Sequence, residues 1–431
     1  MHRSHYSFDA RDLCIAYDFF SDKITGDYHT RQKRGLLLLK KCSSSSLPSS
    51  PSLRSAMPWH ARLCRTGLRQ ACPAKLAEVE APDKRSRGPM AITLFFLLVM
   101  FWCAPLNAYS IVIAGEPACD DPCYLQEGRK SHRVMNTVLE AWYRILEQLE
   151  PYGVTTTVIG RNSLNLHPSA DLYIFWDMPD FYGNPLIAPV AHKSFVVLNE
   201  PISIFPGQYN PHMLAQFKQV FTWDDQFAQT FNFKKYCLPV LKPYKGSPVP
   251  FAQKKLACML CGNKSSWVDR EMYSERRSII NFFTDRHPEL FDLYGSDWPP
   301  LATYKGTVPD KLYCLQNYLF NFCLENTRNT TGYITEKIFD AMHAGTIPIY
   351  AGASNIDAYI PRNCYINYAD FTSLETLKEY MCSLTEQDYN EYQDNIRAYL
   401  ASEQAHKFAI EPFVDLFVGE IREFFNLEKF N

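Results

Sequence analysis

The 431-residue chain has no surplus of either charge. Its 44 Lys and Arg face 46 Asp and Glu, for a formal net charge of −2. Without a global field, charge makes no case for a nucleic-acid partner or a membrane surface. A zinc pattern is also lacking. Cys258-x-x-Cys261 has metal-ligand spacing, but no second pair and no His at zinc spacing follows it. Residues 256–262, Leu-Ala-Cys-Met-Leu-Cys-Gly, read instead as a buried strand in which cysteine acts as a small hydrophobe. No internal repeat of fixed period runs through the chain. The longest apolar run, from Ala91 to Leu106, is about 16 residues, nearer a signal-peptide core than a full membrane span.

What is present fits a folded protein. Apolar residues make up 46% and charged residues 21%, and the length allows two ordinary domains with sizeable cores. Aromatics reach 14%, which suits both a carbohydrate-handling protein and a well-packed core, so composition leaves function open. Residues 1–89 hold the serine–proline stretch Ser43–Ser52 and no sustained periodicity, as in a disordered extension or a spurious upstream sequence. Four of the 14 cysteines (Cys14, Cys42, Cys64, Cys72) lie there, and Cys103 lies in the apolar run. If translation starts at Met90, residues 90–108 read as a signal peptide closed by the small residues Asn107-Ala108. If it starts at Met1, the same run reads as a signal-anchor oriented by Lys84, Arg85 and Arg87. Both readings predict a secretory or export route: a Golgi membrane in a eukaryote, export or the envelope in a bacterium. In an oxidising compartment Cys119 and Cys123 are close enough in sequence to pair.

From Tyr109 onward strands and helices alternate. Strands are predicted at Tyr109–Ala114, Val154–Ile159, Asp171–Trp176, Ser194–Leu198 and Gln219–Thr222, with helices at Ser131–Leu149 and Pro211–Phe217. The segment Leu241–Pro250, rich in Pro and Gly, reads as a linker. A second alternation follows, with strands at 256–262, 290–294, 318–324 and Thr346–Tyr350. Its helices are expected at 270–285, Thr335–Ala344 and Phe408–Phe425. Two alternating blocks predict two α/β domains with mostly parallel sheets, at 109–245 and 246–431. Ligands of such sheets sit at the carboxyl ends of strands, so a cleft between the blocks is the expected site.

The most informative stretch is Asn321-Phe-Cys-Leu-Glu325-Asn326-Thr-Arg-Asn-Thr-Thr-Gly332-Tyr333-Ile-Thr335-Glu336-Lys337, continuing through Gly345-Thr-Ile-Pro348-Ile-Tyr350. An apolar strand delivers Glu325 and Asn326 to its end, a polar loop follows, and a helix begins near Thr335. Anions are favoured at a helix N-terminus, whereas a cation such as Lys337 in the first turn is unfavourable unless it meets an anion. Lys337 therefore fits a phosphate, and Glu336 fits sugar or ribose hydroxyls. The alternative is a helix capped by Thr335 with a solvated Glu336-Lys337 turn; local physics weighs the two evenly.

Gly332-Tyr-Ile-Thr-Glu-Lys-Ile338, between Phe322-Cys-Leu-Glu-Asn-Thr327 and Ala344-Gly-Thr-Ile-Pro-Ile-Tyr350, closely resembles the signature of the α-1,3/α-1,4-fucosyltransferases, glycosyltransferase family 10. The resemblance extends to Tyr273-Ser-Glu-Arg276, Phe291-Asp-Leu-Tyr-Gly295, Val196-Val-Leu-Asn-Glu200-Pro and Val220-Phe-Thr-Trp223, covering about 109–400. It implies a GT-B fold, with two Rossmann-like domains facing a central cleft: an acceptor-side domain, then a donor domain with terminal helices. The donor would be GDP-β-L-fucose. The acceptor would be an oligosaccharide, glycoprotein or glycolipid, commonly through N-acetylglucosamine. No nucleic acid, metal or other cofactor is implied.

Residue by residue, Arg276 and Lys337 match the diphosphate grip, with Arg277 the alternative should the register differ by one. A guanidinium suits phosphate because it offers a planar fork. Glu336, Tyr333 and Asn326 match donor-contacting positions, while Glu325 equally fits an ordering role in the loop. Glu200, ending the strand Phe195-Val-Val-Leu, matches the general base that inverting transfer needs, against the plain reading of a strand-end carboxylate capping a loop. Asp224-Asp225 looks like a metal-binding pair but reads better as a solvated acidic turn. The chain departs from the animal enzymes in having no cysteine after Cys382, and from some bacterial ones in lacking tandem seven-residue repeats. Sequons at Asn263 and Asn329 fall near the expected donor site, where a glycan would obstruct substrate. Two rivals stand: a transferase for another GDP-sugar, and a non-catalytic glycan-binding protein of the same fold.

Overall fold

The computed structural model describes residues 109–115, 137–160, 169–177, 185–241 and 249–427. The readings of 1–108, the Cys119/Cys123 pair and most of the Pro/Gly-rich linker lie outside them.

The first sheet is built from β1 (Tyr109–Gly115), β2 (Val154–Gly160), β3 (Leu172–Trp176), β4 (Ser194–Leu198), β5 (Gln219–Thr222) and the two-residue β6 (Lys234–Lys235). All pairs are parallel, in the order β2-β1-β3-β4-β5-β6. The second sheet holds β7 (Lys255–Leu260), β8 (Phe291–Tyr294), β9 (Tyr318–Leu324), β10 (Ile347–Ala351) and β11 (Ile366–Asn367), again parallel, in the order β11-β10-β9-β7-β8. Continuous apolar strands explain this arrangement. β4 (SFVVL) and β9 (YLFNFCL) are buried at every position, as strands covered on both faces must be. In the second sheet the strand order reverses between β7 and β9, a topological switch point where ligands of open parallel sheets bind.

Helix α1 (Thr137–Leu149) buries Thr137, Ala141, Trp142, Ile145 and Leu149, a stripe at helical spacing. Helix α2 (Asp225–Phe231) follows β5, α3 (Tyr273–Arg286) joins β7 to β8, and α4 (Glu336–His343) joins β9 to β10. Helices α5 (Leu374–Ser383) and α6 (Glu386–Leu400) begin with Ser373 and Thr385 capping boxes. Neither was anticipated from the sequence, because both carry polar residues over most of their surface.

The last helix, α7 (Ile410–Phe425), does not stay with the sheet it follows. Its Phe417 stacks 4.4 Å from Phe221 of β5 and 5.0 Å from Trp142 of α1, while Phe413 contacts Trp142 edge-on at 5.9 Å. One apolar cluster therefore runs from β1 and α1 through α7 to Ile338 and Phe339 of α4. A second, separate core fills the far side of the second sheet around Phe283, Phe291 and Phe322. Residues Pro105–Asn431 cluster as one compact unit. Among the described residues no helix is long and apolar enough to cross a membrane.

Candidate active site

The carboxyl ends of β7 and β9 open into a cleft lined by Leu260, Cys261, Asn321 and Leu324, and also by Arg276, Glu336, Lys337 and Asp340. Two helices point their first turns at it. Arg276 is the fourth residue of α3, and Lys337 the second of α4. A cation in a first turn opposes the helix dipole. Two such cations converging on one cleft make an arrangement whose natural complement is an anion of high charge.

A buried carboxylate organises the Lys337 side. Glu325, at the end of β9, is fully buried. It accepts from Thr335 N–H and Thr335 Oγ1, each at 2.8 Å, and from Lys337 Nζ at 3.1 Å. Thr335 therefore does not cap α4 through its side chain, as one reading had it; its hydroxyl is spent on Glu325. A carboxylate taken out of water needs several donors, and these three supply them. Burial opposes the charge on Lys337, but Glu325 and then Glu336 outweigh it and raise the ammonium above its ordinary value, leaving it cationic. Gly352 makes room for this carboxylate, since a Cβ there would come within 2.5 Å of Glu325 Cγ. Glu325 is thus the ordering residue of the loop.

Arg276 ties down the same strand end. Its Nη2 donates to Leu324 O at 2.6 Å, Glu325 O at 2.8 Å and Asn326 Oδ1 at 2.9 Å. Arg277 points elsewhere, its Nη1 donating to Lys264 O on the surface, so the register is the one that assigns Arg276 to the cleft. Asn326 serves here as an acceptor for Arg276. Its backbone carbonyl accepts from Ser203 Oγ at 3.1 Å, linking this loop to the one after β4.

Tyr333 does not line the cleft. It is buried against Trp223, ring centroids 4.4 Å apart, and its carbonyl accepts from Tyr350 OH. Gly332 permits this closeness: it has φ +73°, and a Cβ would meet Trp223 O at 2.5 Å. Glu336 stands at the rim, 3.7 Å from Lys311 Nζ and 4.0 Å from Lys337 Nζ.

Asp224 and Asp225 are not a solvated turn. Asp224 Oδ1 caps α2 through Phe227 N–H at 3.0 Å and accepts from Thr331 Oγ1 at 2.7 Å. Asp225 accepts from Asn355 Nδ2 at 2.8 Å and from Tyr359 OH. The pair ties the 330–332 loop to the first sheet, Asp224 through Thr331 Oγ1 and Asp225 through its N–H to Thr331 O, and Asp225 also reaches the 355–359 segment.

Glu200 follows β4 and is held by its main chain. Its N–H donates to Asp177 Oδ1 at 2.8 Å, and its carbonyl accepts from Gln208 Nε2 at 2.9 Å and Tyr209 OH at 2.7 Å. Asp177 also accepts from Asn199 N–H and Gln208 Nε2, at 2.8 and 3.0 Å. It follows β3 with φ 55°, a left-handed conformation that Asp tolerates better than most residues. The sequence did not draw attention to it; the available signal was a lone acid directly after a strand, parallel to the Glu200 position. Burial, and then the charge of Asp177, push the Glu200 carboxyl up to about 7. Lys337 and Lys264 pull it back and Glu336 raises it, so Glu200 lies in the same electrostatic neighbourhood as the cleft cations. Lys264 also escaped the sequence reading. It lies beside the sequon at Asn263, which is exposed, as is Asn329.

Residues 251–413 match a family model described as glycosyltransferase family 10 (fucosyltransferase), C-terminal part. An α-(1,4)-fucosyltransferase of Arabidopsis thaliana is 37% identical over 86 residues, 19% of this chain and 21% of that protein. An α-(1,3)-fucosyltransferase 7 of Rattus norvegicus is 25% identical over 208 residues, 46% of this chain and 52% of that one. The chain thus spans about half the length, or less, of these relatives. Among solved structures, a crystal structure of an α1,3-fucosyltransferase with GDP-fucose aligns at 18% identity and a TM-score of 0.45. That alignment covers 80% of this chain and 94% of that one.

Proposed function

We propose that the chain, whose residues 251–413 match the model of glycosyltransferase family 10 (fucosyltransferase), is an inverting fucosyltransferase moving L-fucose from GDP-β-L-fucose to a glycan hydroxyl, in α-1,3 or α-1,4 linkage to N-acetylglucosamine. The two-sheet architecture supports a GT-B arrangement. The observation that carries the chemistry is Glu200, a carboxyl poised near 7 in the field of Lys337 and Lys264. A base matched to neutral pH abstracts the acceptor proton most effectively. The deprotonating hydroxyl attacks the anomeric carbon while the diphosphate leaves on the opposite face, and Arg276 and Lys337 stabilise the negative charge that develops on it. In this reading Glu336 and Tyr333 act on the donor side, Tyr333 by shaping it from behind, and Asn326 by holding Arg276. Two fixed cations supply the electrostatics that a divalent metal gives other transferases, so activity should survive EDTA.

The acceptor is an oligosaccharide carried free, on protein or on lipid. Residues 90–108 direct the chain to the secretory or export route, as a cleaved signal or as a membrane anchor. Carbonate extraction of expressing cells separates these two fates.

The function is tested by acceptor-dependent release of GDP from GDP-fucose by the full chain, using N-acetyllactosamine-type acceptors. Release that is lost in Glu200→Gln and Lys337→Ala supports the reading. Turnover with GDP-mannose but not GDP-fucose, or glycan binding with no transfer from any donor, would replace it.

A further inference from the structure

Among the described residues, few buried side-chain polar atoms lack a hydrogen-bond partner, and one of them lies beside this site: the hydroxyl of Tyr273, whose ring packs against Arg276. The others are Thr330 Oγ1, in the loop fastened by Asp224, and atoms of Gln393, Tyr399 and Arg422 on the C-terminal helices. Tyr273 opens α3 and is 2% exposed. Its N–H donates to Glu271 Oε2 at 2.6 Å, which fixes the first turn, and its ring lies 5.0 Å from the Arg276 guanidinium. After burial itself, the charges that reach this phenol are those of Arg276, Glu200, Lys337 and Glu271. Three of those four are the base and the two diphosphate cations.

A buried hydroxyl without a partner costs roughly 1–3 kcal/mol, and phenylalanine would fill the same space without that cost. Such a group kept at a functional site points to a partner that arrives with the substrate. The proposed reaction says where that partner lies. The anomeric carbon is bonded to a diphosphate oxygen on one side and attacked by the acceptor oxygen on the other. The transferred sugar therefore lies between the cations and Glu200, next to the Arg276 guanidinium against which the Tyr273 ring packs. We infer that the Tyr273 hydroxyl hydrogen-bonds an oxygen of the transferred sugar, while its ring packs against Arg276. This assignment rests on the donor reading above.

Calorimetric titration of the full chain and of Tyr273→Phe, with GDP and with GDP-fucose, separates the two ideas. The phenyl ring preserves packing and the contact with Arg276, and the melting temperature of the variant checks that the fold is kept. The expected result is GDP affinity within about twofold of wild type and GDP-fucose affinity weaker by about tenfold. Melting temperature should be unchanged or higher, since an unsatisfied hydroxyl has gone. Equal losses for GDP and GDP-fucose would put the hydroxyl on the diphosphate and overturn the sugar assignment. Unchanged affinity for both would overturn the role of Tyr273 and leave the donor reading standing. A wild-type chain that binds neither nucleotide would remove the donor reading, and the Tyr273 assignment with it.

Discussion

On the first sheet the functional group is positioned by its backbone; on the second, by its side chains. Glu200 is fixed through its own N–H and C=O to Asp177, Gln208 and Tyr209. Among the described residues the carboxyl itself has no opposite charge in direct contact, and burial drives it up to about 7. Lys337 is fixed through its ammonium to the buried Glu325, and Arg276 through one guanidinium nitrogen to the end of β9. These groups stay charged. The difference matches the two proposed tasks. A base must change protonation during the reaction, so it cannot be locked by a partner that favours its anion. A phosphate grip must hold its charge throughout, so it is best anchored by one.

The comparison can be broken most severely at the base. Glu200→Gln keeps the backbone bonds and removes only proton acceptance. Transfer should fall by about 10²–10⁴-fold, in the range of a lost general base, with GDP affinity nearly unchanged. A comparable drop in GDP affinity, measured by titration, would place Glu200 on the donor instead. Lys337→Ala should do the reverse, losing nucleotide affinity together with rate by about 10²–10³-fold, as for loss of a group stabilising the developing charge. It should also destabilise the fold by about 3–5 kcal/mol in denaturant titration, because Glu325 is left buried without its counter-ion. A Lys337→Ala protein as stable as wild type would contradict the side-chain anchoring described for the second sheet.

Smaller changes sharpen the contrast. Asp177→Asn keeps an oxygen for the Asn199, Glu200 and Gln208 donors and tolerates the left-handed backbone, but removes a negative charge that raises Glu200. The acid limb of the rate profile should move to lower pH, with modest loss of rate. Linkage gives a stability counterpart. Glu200 has a folded value of about 7 against an ordinary 4.5. The folded chain therefore binds the extra proton, and the group costs stability progressively as pH rises from the ordinary carboxylate range through 7. Glu200→Gln should accordingly raise the melting temperature more at pH 8 than at pH 5.

The site on the second sheet was largely legible because its residues are nearly contiguous. Strand β9, the loop, the first turn of α4 and strand β10 follow one another from Tyr318 to Ala351, and a cation in a helix's first turn is visible without a structure. Strand β9 was anticipated at its observed bounds, and only the fold distinguishes Arg276, at the end of β9, from Arg277, at Lys264 O, since adjacent arginines on a helix face different ways. The first sheet was legible as strands but less so as a site. Glu200 was visible at a strand end, whereas its support from Asp177 joins residues on neighbouring strands, which no local pattern records. The helices α5 and α6 were missed because their polar surfaces blur the helical period. The fastening role of Asp224 and Asp225 was misjudged because two adjacent acids look solvated until Thr331, Asn355 and Tyr359 are brought to them.

The central claim is that Glu200 takes the acceptor proton with a carboxyl poised near neutrality. Its most direct test is the pH dependence of fucosyl transfer under kcat/KM conditions, compared between wild type and Asp177→Asn. The account predicts a wild-type rate that rises as the pH passes through about 7 and levels above it, with the inflection moved to lower pH in the variant. A rate that is flat across that range, or an inflection that does not move when Asp177 loses its charge, would contradict it.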